Sequence, residues 1–336
     1  MPNEEFKRPR ELGHTTAPGW RIGDTSAPHT SGGTRSAKAF EPDAALTGKL
    51  DALNRKGAII MSIVNRRIKF SDYEKRYDFV SLRREDGILE IRLHAKDNDA
   101  APIIWSTYAH GDLSYLFYDV SRDYENKCVI ITGTGPTFIG SETELGKPIP
   151  PLLWDEVYHN CKHLQMNLLN IEVPVIAAVN GPALVHAELA LLNDIVLCTD
   201  NAEFQDAPHF LDNVVPGDGV QTVFPALLGP VRAHYFMLTG QKLSAKRAYE
   251  LGLVNEVLPQ RDLLTRAWYW ARFISARSIL CRRYARSALT QQWKRQILDS
   301  VSHGIAMEGI SASVSWGMHN EHTTPNVPGH TTGDHK

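Results

Sequence analysis

The chain has 336 residues, 43% apolar and 22% charged, enough to fill the core of one large or two small soluble domains. Its 36 basic and 38 acidic residues leave a net charge of −2, too weak a field to hold nucleic acid or an anionic membrane surface. No apolar stretch is long enough to span a bilayer, and no apolar signal core opens the chain. Four scattered cysteines without a C-x-x-C pair read as the reduced thiols of a cytoplasmic protein.

Residues 1–43 are rich in Pro, Gly, Ser, Thr and Arg and lack periodicity, which predicts a disordered tail. Residues 44–68 can form an amphipathic helical extension broken at Gly57. From residue 69 the pattern changes. Ile88 to His94 alternates apolar and polar residues with a strand's period of two. Lys127 to Thr132 is an apolar β-branched run closed by the turn signal Gly133-Thr134-Gly135-Pro136. Trp154 to Leu169 has helical spacing, and Val173 to Val179 is a second buried strand. Ala187 to Leu192 suits a short buried helix before a third strand, Ile195 to Cys198. This alternation argues an α/β core over 69–260. Residues 261–319 read as mainly helical, and 320–336 as a second disordered tail.

Four segments in order resemble the crotonase (enoyl-CoA hydratase/isomerase) superfamily. They are Val129 to Phe138, Pro174 to Ala183, Asn193 to Val196, and Leu238-Thr239-Gly240 with Gly252-Leu253-Val254-Asn255. The resemblance implies a crotonase-like spiral of ββα units, a C-terminal helical oligomerisation region, and assembly as a trimer or a dimer of trimers.

Two departures narrow it. The Gly-rich turn that CoA-handling members usually carry after the second strand reads Leu184-Val185-His186-Ala187-Glu188. The hydratase's second glutamate, which usually follows a proline, is replaced by His209 after Pro208. With Trp105 to His110, Val215 to Gly219 and Glu308, this set is similar to 6-oxocamphor hydrolase and related β-diketone hydrolases. Segment 140–153, where the likeness is weakest, is expected to line the pocket.

Hydrolysis of a β-diketone needs a base for water and donors for a developing enolate oxygen. An imidazole titrates near neutrality, so His209 is the expected base. Asp218, in the Gly-flanked turn nine residues on, is expected to hold its other ring nitrogen. The resemblance implies that His186 and Trp105 hold and polarise the diketone, with Glu308 orienting His186. It places His110 in the site without a clear role, and Glu188 where a hydratase has its first glutamate. No metal or cofactor is called for: Cys161-Lys162-His163 and His319-x-x-His322 lack further ligands. The expected partner is a small-molecule diketone. The alternatives are an acyl-CoA hydratase, isomerase or thioesterase of the same fold, or a non-catalytic crotonase-fold scaffold.

Overall fold

The computed structural model describes residues 67–142, 148 and 150–316. Both predicted tails, nearly all of the helical extension and the His319/His322 pair lie outside them. The core opens with a hairpin, β1 (Val80–Glu85) and β2 (Ile88–Leu93), joined by Asp86 and Gly87 at φ 52° and 83°. Two positive-φ residues in a two-residue loop match the right-handed twist of the paired strands. Four parallel strands extend the sheet: β3 (Cys128–Gly133), β4 (Val175–Val179), β5 (Ile195–Thr199) and β8 (Glu256–Leu258), in the order β1-β2-β3-β4-β5-β8.

A second, narrower line of pairing runs beside the sheet. Ile139 bridges Ala183, Ala183 bridges Phe204, and β6 (Glu203–Phe204) pairs with β7 (Leu243–Ser244). Each turn of chain thus contributes a long strand and then a short pairing residue. This is the expected spiral of ββα units.

Both faces of the sheet are covered, so β3 and β4 are buried along their whole length. On one face Val129, Ile131 and Val175 pack in one cluster with α1 (Thr107–Arg122) and α2 (Pro151–Asn170). α1 contributes Ala109, Leu113, Leu116, Phe117 and Val120, a helical stripe. On the other face Cys128, Ile130 and Ile176 pack with Leu263, Ala267 and Ala271 of α7 (Gln260–Ser275). The intervening helices are α3 (Glu188–Leu191), α4 (Val220–Leu228), α5 (Pro230–Thr239) and α6 (Ala245–Glu250). α8 (Ile279–Leu289) and α9 (Gln291–Ser315) follow α7, so the C-terminal region is helical as expected. Among the described residues no helix is long and apolar enough to cross a membrane.

Candidate active site

Five chain segments converge on one narrow cavity of about 30 Å³, room for a water or two. The loop after β4 brings His186. Its path is set by the amides of Leu184 and Val185, which both donate to the Ile139 carbonyl at 2.8 and 3.3 Å. The loop after β6 brings Asp206 and His209, the turn before α4 brings Asp218, α1 brings His110, and α9 brings Glu308. All five of the latter side chains and His186 are buried.

His186 adopts φ 48°, the left-handed region where a Cβ ordinarily costs about 1–2 kcal/mol. A side chain therefore stands on backbone shaped for glycine, at the turn where the sequence departs from the Gly-rich pattern. Its Nδ1 lies 2.8 Å from Glu188 Oε1 and 3.2 Å from Asp218 Oδ2. His209 is likewise buried. Its Nδ1 lies 2.5 Å from Asp206 Oδ1, while its Nε2 faces Glu308 Oε1 at 3.6 Å and Asp218 Oδ2 at 3.7 Å. Asp218 thus sits between the two imidazoles. The Trp105 indole N–H donates to His110 Nδ1 at 3.1 Å, so the His110 proton resides on Nε2, a buried atom with no hydrogen-bond partner among the described residues. The His110 and His186 rings meet edge to face, 4.7 Å apart.

Charge is unevenly distributed among these groups. Burial opposes a cation on His209, but the carboxylates of Asp206, Asp218 and Glu308 outweigh it and hold the imidazole well above its ordinary range. Burial likewise opposes the charge on His186, and Glu188 and Asp218 push it up to about 9. His110 has no such partner: burial, then the neighbouring charges of His186 and His209, hold it well below the usual histidine value. Burial raises the Glu308 carboxyl to about 7, against the opposing pull of His209. Cys161 lines the cavity too, but burial pushes its thiol up and Asp218 and Glu308 add to this, so it stays protonated.

The structure changes three expected pairings. Asp206, not Asp218, holds the other ring nitrogen of His209. It is three residues away on the same loop, and the Gly-flanked turn brings Asp218 only to the Nε2 side. Glu188, not Glu308, orients His186, because α3 starts two residues after that histidine. Trp105 is fully buried behind His110, outside the cavity lining, and its N–H serves that ring. His110, His186, His209, Asp218 and Glu308 do line one cavity. Segment 140–153 contributes Glu142 to it; residues 143–147 and 149 lie outside the described residues. Asp206 escaped sequence reading, although its i, i+3 spacing to His209 was visible. The Cys161-Lys162-His163 triplet does not act together: Cys161 is buried at the cavity, whereas His163 is exposed and bonds the His159 carbonyl.

The chain matches the family model described as enoyl-CoA hydratase/isomerase over residues 83–308, more than half its length. It is 32% identical over 184 residues to YngF, a Bacillus subtilis protein named for that activity, covering 54% of this chain and 70% of that one. To the carnitinyl-CoA dehydratase of Escherichia coli K12 it is 30% identical over 188 residues, covering 55% and 70%. Among solved structures it is similar to a β-diketone hydrolase from the cyanobacterium Anabaena sp. PCC 7120, bound to (S)-3-oxocyclohexyl acetic acid. That match has 41% identity and a TM-score of 0.68, covering 73% of this chain and 96% of that one. An enoyl-CoA hydratase/isomerase from Mycobacterium paratuberculosis matches at 26% identity and a TM-score of 0.64, covering 70% and 94%. The chain belongs to the enoyl-CoA hydratase/isomerase family, the crotonase superfamily, and lies close to its β-diketone hydrolases.

Proposed function

We propose that this protein is a β-diketone hydrolase that cleaves a carbon–carbon bond of a cyclic or bicyclic diketone to give a keto acid. The observation that carries the reading is His186, an imidazole on left-handed backbone where the Gly-rich turn would stand. A glycine there lets a thioester arm approach closely. A buried imidazole occupies that space and offers a side-chain donor instead. Together, His186 and the Nε2–H of His110, which has no partner among the described residues, supply two donors on one cavity. Two donors suit a substrate with two carbonyl oxygens, one to be attacked and one to become an enolate.

Water fits among His209, Asp218 and Glu308. It attacks one carbonyl carbon, and this cluster takes its proton. The carbon–carbon bond then breaks, its electrons pass into the enolate of the second carbonyl, and the carbanion carbon is protonated. A keto acid with a ring ketone and an acetic acid arm, such as that bound to the Anabaena enzyme, is the kind of product this cleavage gives.

A second reading, acyl-CoA hydration or isomerisation, has the curated relatives' names on its side. The geometry speaks against it. Glu188, at the hydratase's first glutamate position, has its carboxylate bonded to His186, and His209 stands at the second. A panel of cyclic β-diketones, followed by loss of enol absorbance, tests the proposal. Turnover of crotonyl-CoA with none of the panel would favour the second reading.

A further inference from the structure

Within the hydrolase reading, we infer that His209 works as a fixed imidazolium positioned by Asp206, and that Glu308 is the group that takes the proton from water.

Asp206 Oδ1 lies 2.5 Å from His209 Nδ1, and two further carboxylates face Nε2 at 3.6 and 3.7 Å. A neutral imidazole has one N–H and one lone pair. Either tautomer would aim that lone pair at a buried carboxylate. With Nδ1–H given to Asp206, the two carboxylates on the Nε2 side favour a second proton there, which makes the ring a cation. Asp206 is itself 2% exposed and three residues away on the same loop, so the contact is short in sequence and shielded from solvent.

A ring with both nitrogens protonated has no lone pair to give to water. Of the two carboxylates on the Nε2 side, Asp218 is also held by His186 Nδ1 at 3.2 Å, whereas Glu308 Oε1 faces His209 and its Oε2 is buried without a hydrogen-bond partner among the described residues. The groups that face this carboxylate are His209 from the β6 loop, Asp218 from the turn before α4, and His186 from the β4 loop; Cys161 of α2 lines the same cavity. Burial raises Glu308 to about 7, which poises it as an acceptor near neutrality.

The step balances without another reactant. The water oxygen bonds the carbonyl carbon while one of its protons goes to the Glu308 carboxylate. The tetrahedral adduct collapses, the carbon–carbon bond breaks, and its electron pair forms the enolate. The Glu308 proton then passes to the enolate carbon, so water's hydroxyl ends on the acid and its hydrogen on the ketone.

Two measurements test this. The first is ¹⁵N NMR of the imidazole nitrogens at neutral pH, which needs no turnover. Two protonated nitrogens on His209 are expected, with the assignment made by loss of the signals in His209→Gln. A single protonated nitrogen would overturn the imidazolium role whether or not the protein cleaves diketones. The second is the pH profile of diketone cleavage. Glu308→Gln is expected to lower kcat by roughly 10²–10⁴-fold and to abolish the acidic limb. An acidic limb that survives in Glu308→Gln would return the base to His209. Asp206→Asn is expected to lower kcat about 10–100-fold with little change in KM, and Asp206→Glu to recover part of the loss. Equal loss in Asn and Glu variants whose melting temperatures match the wild type would contradict the positioning role.

Discussion

Glu308 reaches the cavity because Gly304, one helical turn earlier, lies directly against Gly217. A Cβ on Gly304 would sit 2.2 Å from the Gly217 carbonyl oxygen, and one on Gly217 would sit 2.2 Å from the Gly304 carbonyl oxygen. Only two glycines let α9 lie this close to the turn that carries Asp218. Gly304→Ala is therefore expected to push the helix outward, to cost about 1–3 kcal/mol of stability, and to lower kcat/KM at least tenfold. Thermal melts and kinetics check this. A variant with wild-type melting temperature and activity would show that the contact does not set the Glu308 position.

His186 allows a comparison that isolates the backbone. His186→Gly and His186→Ala both remove the ring and leave Glu188 and Asp218 without it. They differ in that glycine tolerates φ 48° and alanine does not. The glycine variant is expected to be more stable than the alanine variant by about 1 kcal/mol, with both nearly inactive. Denaturant midpoints decide it. Equal stability would mean that the turn relaxes once the ring is gone.

The pH dependence has a definite sign on each side. Glu308, raised to about 7, accepts a proton only when ionised, so kcat/KM should rise as pH climbs through about 7. His186, raised to about 9, is a charged donor only below that value, so the rate should fall as pH passes about 9. A bell with these two limbs is expected. A profile still climbing beyond the upper limb would assign no role to the His186 cation.

Asp218 serves two rings at once, 3.2 Å from His186 Nδ1 and 3.7 Å from His209 Nε2. Asp218→Asn is expected to lower kcat by about 10²-fold or more while leaving diketone binding largely intact. His209→Ala should lose nearly all turnover. Wild-type kcat in either variant would remove that residue from the catalytic cluster.

The central strands were legible because β3, β4 and β5 are apolar, β-branched runs, buried on both faces. β1 was hidden. Its sequence VSLRRE reads as charged, since Arg83 stacks over Trp268 and Arg84 pairs with Asp123 rather than facing water alone. Helices α4 and α5 were concealed by Pro225 and by Gly229-Pro230, which look like breakers but fall in a last turn and at a helix start. In the site, the residues were legible and their pairings were not. Sequence separation pointed to the Asp218 turn, whereas loop geometry put the nearer Asp206 on the ring. Trp105 shows the same limit. Its N–H was foreseen as a donor, but its recipient is His110, because α1 begins just after it and turns that histidine across the indole.

Cleavage of a bicyclic 1,3-diketone in H₂¹⁸O tests the proposed function most directly, with crotonyl-CoA run beside it. One ¹⁸O atom in the carboxylate of a keto acid product, with no hydration of crotonyl-CoA, is the expected result. Micromolar CoA binding and crotonyl-CoA hydration, with the diketone unchanged, would contradict the account and assign the protein to acyl-CoA chemistry.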